Sequence, residues 1–152
     1  MLCGQYNKKI VLIEQHQITK DIELQVPIEL NTDKIAVDLA AILGNLLDNA
    51  IEATNRAKTV PTKEISINIK YNDNKIYIQI NNTSDKSKQD FSQKIVISEK
   101  GSNRFGIGIT SIKERVERLK GYYDFKYDAG YFKAFIILPV EDVKTLLFKM
   151  NS

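Results

Sequence analysis

The sequence predicts an α/β protein of the α+β kind, a two-layer sandwich with one mixed, largely antiparallel sheet and helices on a single face. Several short segments alternate apolar and polar residues, as half-buried strands do. Longer segments between them repeat apolar residues every three or four positions, as amphipathic helices do. Turn residues join one pair of strands directly, which makes that pair antiparallel. Helices interspersed among such strands are typical of a sheet covered on one face.

The predicted elements follow one another along a single domain, residues 1–152. A helix over residues 5–20 precedes an alternating strand over residues 22–28. Asn31, Thr32 and Asp33 offer an N-cap for a helix that runs to about Ala57. Two strands around residues 65–69 and 76–80 are joined by a turn at residues 72–74. Beyond a polar segment come a helix that stops at Gly121, two strands around 123–127 and 132–138, and a closing helix over 141–150.

The long helix before residue 57 carries two asparagines, Asn45 and Asn49, within an otherwise apolar segment. With Asp48 and Glu52 they form a narrow polar stripe along one side of the helix. This stripe is consistent with a solvent-facing side. That interpretation explains the acids better than the asparagines, which have weaker helix propensity than the residues usually found on exposed faces. The alternative is that the two amides face a ligand.

Two glycines, Gly106 and Gly108, precede the amphipathic helix of residues 109–120, and we expect them in a loop that opens this helix. Glycine allows the backbone to approach a ligand, and free N–H groups at a helix N-terminus attract anions. The loop is therefore a candidate phosphate site, although most such glycine pairs only shape turns. It matches neither the Walker pattern nor the dinucleotide fingerprint.

Composition limits the possible functions. The chain has 152 residues, a net charge of +3 and scattered lysines, which argues against nucleic-acid binding. One cysteine, Cys3, excludes an internal disulfide framework. No apolar run approaches the roughly 18 residues needed to cross a bilayer, so we expect a soluble fragment without direct membrane contact.

The asparagine helix, two strands, a long polar segment and a Gly-x-Gly-Ile helix start resemble the ATP-binding domain of histidine kinases. These kinases share their Bergerat-type fold with DNA gyrase and MutL in the GHKL superfamily. The resemblance covers nearly the whole chain. The run from Asn45 to Ala53 and the glycine segment are most similar to the peptide-pheromone receptor kinases of Gram-positive quorum sensing.

The resemblance implies roles for the two asparagines. Asn49 matches the residue that binds the Mg²⁺ ion bridging the ATP phosphates, which suits a hard cation with oxygen ligands. Asn45 faces the same pocket. In the gyrase-like ATPases its position carries a glutamate that activates water. Asparagine cannot take up a proton at neutral pH, so hydrolysis should be slow.

At the adenine end the sequence departs from the family pattern. Most of these kinases follow the second central strand with Asp-x-Gly, whereas here Asn82 lies nearest the aspartate position and no glycine follows. An amide oxygen can still accept a hydrogen bond from the adenine amino group. The alternative is an ordinary polar turn between strand and loop.

The phosphate contacts implied by the resemblance fall on the glycine segment. They map onto Gly106, Gly108 and the adjoining Ile107 and Ile109, and two basic side chains, Lys100 and Arg104, could reach the terminal phosphates. Such side chains in a loop are often only solvated. The polar segment over about residues 83–105 is expected to be a mobile ATP lid.

The resemblance implies a catalytic fragment of a cytoplasmic, membrane-anchored bacterial sensor. It would transfer the γ-phosphoryl group of ATP, with Mg²⁺, to a histidine on a dimerisation domain of the same receptor, upstream of a response regulator. His16 is the only histidine, and its position suits an ordinary surface residue better than a phosphoacceptor. The alternatives are an anti-sigma-factor type of serine kinase and an interaction module that has lost nucleotide binding.

Overall fold

The structure contains a five-stranded mixed sheet with two long helices. This computed structural model describes residues 7–11, 13, 18–27, 29–85 and 104–141. The elements are β1 (Thr19–Gln25), a 3-10 turn (Asp33–Ile35), α1 (Ala36–Arg56), β2 (Glu64–Asn72), β3 (Lys75–Thr83), α2 (Arg104–Arg118), β4 (Tyr122–Asp128) and β5 (Tyr131–Pro139). The strand order is β1-β2-β3-β5-β4, with β1 and β2 parallel and the other neighbours antiparallel. The predicted fold class is confirmed.

The core lies between the sheet and the helices because alternate strand residues share one face. Ile78 of β3 pairs with Ile69 of β2 and Ile136 of β5, and the last of these contributes no exposed surface. The same core cluster contains buried residues of both helices, among them Ile42, Leu46, Ile112 and Val116. The opposite sheet face carries residues such as Ser66, Asn81 and Lys133. Helices therefore cover one face.

Two tight turns join the antiparallel hairpins. In the turn between β2 and β3, Asp73 and Asn74 both have positive φ, at 48° and 57°. Between β4 and β5, Ala129 and Gly130 have φ values of 48° and 84°. Two consecutive positive φ angles are typical of the type I′ turn, whose twist matches that of the flanking strands. The hairpin predicted at residues 72–74 is confirmed.

The start of α1 differs in detail from the predicted cap. The side chain of Thr32 makes no capping hydrogen bond, and a 3-10 turn precedes Ala36. Instead, Oδ1 of Asn31 accepts a hydrogen bond from the backbone N–H of Asp33 at 2.9 Å. Asn31 thus stabilises the turn through a local hydrogen bond between its side chain and the backbone, which is the bond that makes asparagine common in turns. The helix ends at Arg56, one residue from the prediction.

The predicted glycine loop is helical, which corrects the expectation for Gly106 and Gly108. Helix α2 begins at Arg104, so both glycines lie in its first turns. At the other end the left-handed residue is Lys120, with φ of 55°, and not Gly121. Gly121 is required for another reason, because a Cβ there would collide with the carbonyl oxygen of Ile137.

Two predicted boundaries were wrong. The helix expected to reach Lys20 gives way to β1 at Thr19, because the backbone pairs in parallel with β2 and the Thr19 N–H donates to the Lys63 carbonyl. The predicted strand 22–28 ends at Gln25, and Ile28 lies outside the described residues. Residues 7–11 and 13 are helical as predicted.

The structure describes only the two ends of the segment predicted to be a lid, residues 83–105, and both ends belong to or adjoin regular elements. Thr83 belongs to β3, the Ser84 N–H donates to the Gly130 carbonyl at 2.9 Å, and Arg104 already belongs to α2. Lys100, the rest of the lid from 86 to 103, His16 and the closing helix expected after Glu141 lie outside the described residues. Within the described part of the chain, no helix is long and apolar enough to cross a bilayer.

Candidate functional site

The polar stripe of α1 does not form a uniform solvent-facing side. The Asp48 side chain is 56% exposed, Asn45 is half-buried and Asn49 is only 7% exposed. Asn49 is directed inward, against the other long helix. The prediction of a solvent-facing side is therefore correct for Asp48 and wrong for Asn49.

The amide of Asn49 is buried without a full set of partners. Within the described part of the chain, its Nδ2 atom has no hydrogen-bond acceptor. A buried donor without a partner costs roughly 1–3 kcal/mol, so native proteins rarely keep one without a functional reason. This orphaned N–H is the strongest indication of a ligand in the structure.

Gly108 of α2 lies directly against that amide. A Cβ placed on Gly108 would be 3.3 Å from Asn49 Oδ1 and 3.4 Å from Nδ2. The absence of a side chain therefore allows the first turns of α2 to approach Asn49 closely. The helix leaves its first N–H groups without intrahelical acceptors and carries partial positive charge at this end. The predicted link between Asn49 and the glycine segment is thus present, on helical backbone.

The other residues predicted to contact phosphate differ in position and in how far the structure describes them. The side chain of Ile109 is 3% exposed and packs in the core, so it is not available to a ligand. Gly106 and Ile107 lie in the first helical turn, as does Arg104. The structure describes the side chains of neither Arg104 nor Ile107.

Asn82 lies within β3 and not in a turn. It pairs with Ile65 and Phe132, is 1% exposed, and its Nδ2 donates to the Thr83 carbonyl at 3.0 Å. It shares a strand face with Ile80, on the side covered by the helices. The amide is thus held at the end of the strand, under α1.

A polar cluster around Asn82 was not foreseen from the sequence. Thr54 of α1 is fully buried and its hydroxyl donates to the Thr83 carbonyl at 3.3 Å. The Thr83 hydroxyl accepts from the Glu64 N–H at 3.2 Å, and the Tyr127 hydroxyl donates to the Ser84 carbonyl at 2.7 Å. The available signal was Thr54 itself, a hydroxyl residue among buried positions of a helix.

The chain that leaves β3 is tied to the end of α1 by Asp85. Its carboxylate accepts from the hydroxyl of Thr59 at 2.6 Å, from the Thr59 N–H at 3.1 Å and from the Lys58 N–H. The Thr59 hydroxyl and then the Lys58 N–H lower the pKa of the Asp85 carboxyl. The start of the predicted lid is thereby fixed to the exit of α1.

Two arginines share one carboxylate at the place where the start of α1 meets the end of α2. Arg115 Nη1 of α2 donates to Asp38 Oδ1 of α1 at 2.6 Å, and Arg118 binds the same oxygen. Partial burial raises the pKa of Asp38, but the hydrogen bonds and charges of Arg118 and Arg115 outweigh it and hold that pKa below its ordinary value. This contact sets the relative position of the helices that carry Asn49 and Gly108.

A further ion pair connects the N-terminal helical stretch to the asparagine helix. The Lys9 ammonium binds the Asp48 carboxylate and donates to the Gly44 carbonyl at 3.3 Å. Both contacts lie beside Asn45 and Asn49 in sequence. The sequence offered no signal for this pairing, because it joins residues 39 positions apart.

Comparison with known proteins is consistent with this architecture. Residues 35–139 match the family described as the GHKL domain. Sensor histidine kinase DcuS of Escherichia coli strain K12 is 30% identical over 125 residues, which are 80% of this chain and 22% of DcuS. The Shigella flexneri DcuS gives the same values. The chain thus spans about a fifth of the length of these relatives.

Solved structures show the same fold. The nucleotide-free catalytic domain of histidine kinase ThkA has a TM-score of 0.68 at 17% identity, covering 91% of this chain and 89% of that one. Histidine kinase AdeS of Acinetobacter baumannii has a TM-score of 0.64 at 12% identity, covering 91% of this chain and 62% of that one.

The fold is therefore that of a histidine kinase catalytic domain. The chain belongs to the GHKL domain family, whose match spans α1 through β5. The membership predicted from the asparagine helix and the glycine segment is confirmed at this level. The closer similarity to quorum-sensing receptor kinases stays a prediction.

Proposed function

We propose that this chain is the catalytic ATP·Mg-binding domain of a two-component sensor histidine kinase. It transfers the γ-phosphoryl group of ATP to a histidine on a dimerisation domain outside this chain. Family membership and the similarity to a protein named as a sensor histidine kinase support this proposal. The observation that carries it is the buried Asn49 amide, orphaned within the described residues and facing Gly108.

The chemistry of Asn49 fits an Mg²⁺-nucleotide. An amide offers an oxygen, which Mg²⁺ prefers, and two N–H donors, of which the orphaned one suits a phosphate oxygen. Asn49 is thus the proposed metal ligand. The bound ion would neutralise phosphate charge, which is the main requirement of phosphoryl transfer together with positioning.

Asn45 gives the site its preference for transfer over hydrolysis. It lies one helical turn before Asn49 and is half-buried, so it is close enough to share the pocket. An amide cannot remove a proton from water. ATP therefore persists until an acceptor histidine is presented, and this distinguishes the proposal from a serine kinase of the anti-sigma-factor type, which carries an acid at this position.

Asn82 supplies the adenine contact. Its Nδ2 already donates to the Thr83 carbonyl, which leaves the amide oxygen for the adenine amino group. The surrounding hydroxyl contacts of Thr54 and Thr83 hold the end of β3 under α1. An asparagine held in this way replaces the carboxylate of the Asp-x-Gly pattern.

The phosphate end is formed by the first turn of α2. Because α2 begins at Arg104, its free backbone N–H groups are those of the first turn, up to Gly106 and Ile107, and these are proposed to bind the anion with the helix dipole favouring negative charge. Gly108 and Ile109 lie one turn further on, where Gly108 allows the close approach to Asn49. Lys100 and Arg104 are proposed to reach the terminal phosphates.

The proposed setting is the cytoplasmic part of a membrane-anchored bacterial sensor. The partners are the histidine-containing dimerisation domain of the same receptor and a downstream response regulator, as the name of the DcuS relative supports. No nucleic-acid partner is proposed. The run Asn45 to Ala53 favours a peptide-receptor kinase of Gram-positive quorum sensing within the family.

Calorimetric titration of the chain with Mg-ATP tests the nucleotide site. The parent should bind ATP with Mg²⁺ and far less well with EDTA, whereas Asn49→Ala should lose the metal-dependent part. Asn68→Ala is the matched control, because Asn68 lies on the opposite face of the sheet. If the parent binds no nucleotide, the chain is an interaction module and the proposal is wrong.

Phosphoryl transfer needs a second experiment, because binding alone does not distinguish the two kinase types. The chain is mixed with a histidine-containing helical hairpin of its own receptor and labelled ATP. Phosphate that is labile to acid and stable to base indicates phosphohistidine. Acid-stable phosphate on a serine would instead show the serine kinase.

A further inference from the structure

Two carboxylates, of Asp48 and Glu52, lie on the polar stripe of α1 that carries the proposed nucleotide ligands. Asp48 comes three residues after Asn45, and residues three apart on a helix have Cβ atoms about 5–6 Å apart. This separation is shorter than the Debye length of about 8 Å at physiological ionic strength, so dissolved ions screen such a charge incompletely. An uncompensated Asp48 carboxylate would therefore repel phosphates held beside Asn45 and Asn49.

The two carboxylates are paired with cations from different parts of the chain. Glu52 binds Nη2 of Arg56 at 3.0 Å, one turn further along the same helix. Asp48 binds the ammonium of Lys9, which belongs to the N-terminal helical stretch before β1. The GHKL match begins at residue 35, so Lys9 precedes the part of the chain that it covers.

The position of Lys9 is better fixed than that of an ordinary surface lysine. Its side chain is 17% exposed, and its Nζ also donates to the Gly44 carbonyl at 3.3 Å. Ile13, one helical turn after Lys9, has no exposed surface and belongs to the core cluster. The N-terminal stretch is thus attached to the domain at two points, and the ammonium is held beside the polar stripe.

We infer that Lys9 is a positioning residue for the nucleotide: it neutralises Asp48 and so allows the polar stripe to accept an anion. This inference rests on the proposed function, because it requires phosphates beside Asn49. ATP keeps a negative charge with one Mg²⁺ bound, so an unpaired carboxylate nearby weakens its binding. Since Lys9 lies outside the sheet and the two long helices, nucleotide affinity depends on where the N-terminal stretch lies.

Two substitutions that break the same ion pair distinguish this inference from a purely structural role. Lys9→Met keeps an apolar stem and leaves Asp48 unpaired, so the Kd for Mg-ATP in calorimetry should rise about fivefold. Asp48→Asn removes the carboxylate and leaves the ammonium, so this variant should bind Mg-ATP at least as tightly as the parent. An ion pair that only anchors the N-terminal stretch would give weaker binding in both variants, and that result would overturn the inference.

A double variant and the salt dependence test the same charge independently. Lys9→Met combined with Asp48→Asn should return the Kd to within about twofold of the parent value, because no carboxylate is left to neutralise. In about 1 M salt, where the Debye length is about 3 Å, Lys9→Met and the parent should differ less than about twofold. A defect that persists in the double variant, or that is unchanged by salt, would contradict the inference.

Lys34→Met is the matched control, because it removes the same charge from a different ion pair. Lys34 lies in the 3-10 turn before α1 and pairs with Glu141 at 2.8 Å, roughly 20 Å along the helix from Asp48. Its substitution should change the Kd for Mg-ATP less than about twofold. Equal effects of Lys9→Met and Lys34→Met would overturn the inference and leave the nucleotide site intact, whereas a parent that binds no Mg-ATP would overturn both proposals.

Discussion

Replacing Asn49 by leucine should stabilise the protein and destroy its nucleotide site at the same time. Leucine keeps the branching of the asparagine side chain but has no donor to satisfy. In the parent, Nδ2 of Asn49 is buried without an acceptor among the described residues, and Gly108 leaves space beside it. Asn49→Leu therefore removes an unfavourable term from the nucleotide-free protein.

The magnitude follows from two contributions. An unsatisfied buried donor costs about 1–3 kcal/mol. Leucine also has better helix propensity than asparagine, by a few tenths of a kcal/mol. We expect the free energy of unfolding to rise by about 1–3 kcal/mol, which corresponds to roughly 3–10 °C in Tm for a domain of this size.

Urea and thermal unfolding, with and without Mg-ATP, measure both effects. Mg-ATP at about 100 times its Kd should stabilise the parent by roughly 2.7 kcal/mol and leave Asn49→Leu unchanged. Asn45→Leu, on the same helix but without an orphaned donor, controls for propensity and should change stability by only a few tenths of a kcal/mol. A variant less stable than the parent by 1 kcal/mol or more would refute the reasoning, because the amide would then be a structural contact.

Three further predictions concern the helix pair and the isolated chain. Gly108→Ala should weaken Mg-ATP binding about tenfold in calorimetry, because its Cβ would crowd the Asn49 amide at 3.3 Å. Gly44→Ala is the control, because its Cβ would have nothing within 4 Å, and it should raise the free energy of unfolding by up to about 1 kcal/mol. The pKa of Asp38 in the folded protein lies below its ordinary 3.8, because its two arginine partners stabilise the carboxylate. Above pH 3.8 the ion pair therefore adds its full contribution to the free energy of unfolding, about 1–2 kcal/mol after a discount for the exposed partners. That contribution is lost as the pH falls through the folded pKa. Urea midpoints of parent and Asp38→Asn should therefore converge as the pH falls below 3.8, and a constant gap would contradict the ion pair. Without an acceptor domain, labelled ATP should leave no phosphate on the chain, and stoichiometric label on His16 would disprove this.

Helix α1 shows how far sequence reasoning reached into the site. The apolar repeat predicted the helix to within one residue of its end, and the resemblance singled out Asn45 and Asn49. Periodicity alone could not tell which amide is buried, since both lie on the polar stripe. That was decided by α2, whose Gly108 lies against Asn49 and not against solvent.

The glycines illustrate a second limit. Local pattern predicted that Gly106 and Gly108 belong to a loop and that Gly121 ends a helix. In the structure the first two are helical, and Gly121 is needed because β5 passes too close for a Cβ. Close approach of two segments depends on contacts that no local pattern records.

The sequence by itself determined the alternating and helical segments, the hairpin at residues 72–74 and the fold class, because these depend on local propensity and periodicity. Only the tertiary structure decided that β1 pairs in parallel with β2, that β5 lies between β3 and β4, and that Asp38 meets Arg115 and Arg118. Those arginines lie 77 and 80 positions along the chain from Asp38. Partners so far apart in sequence meet only when the whole core packs. A donor or a charge is then buried favourably only if a distant residue forms a hydrogen bond or an ion pair with it.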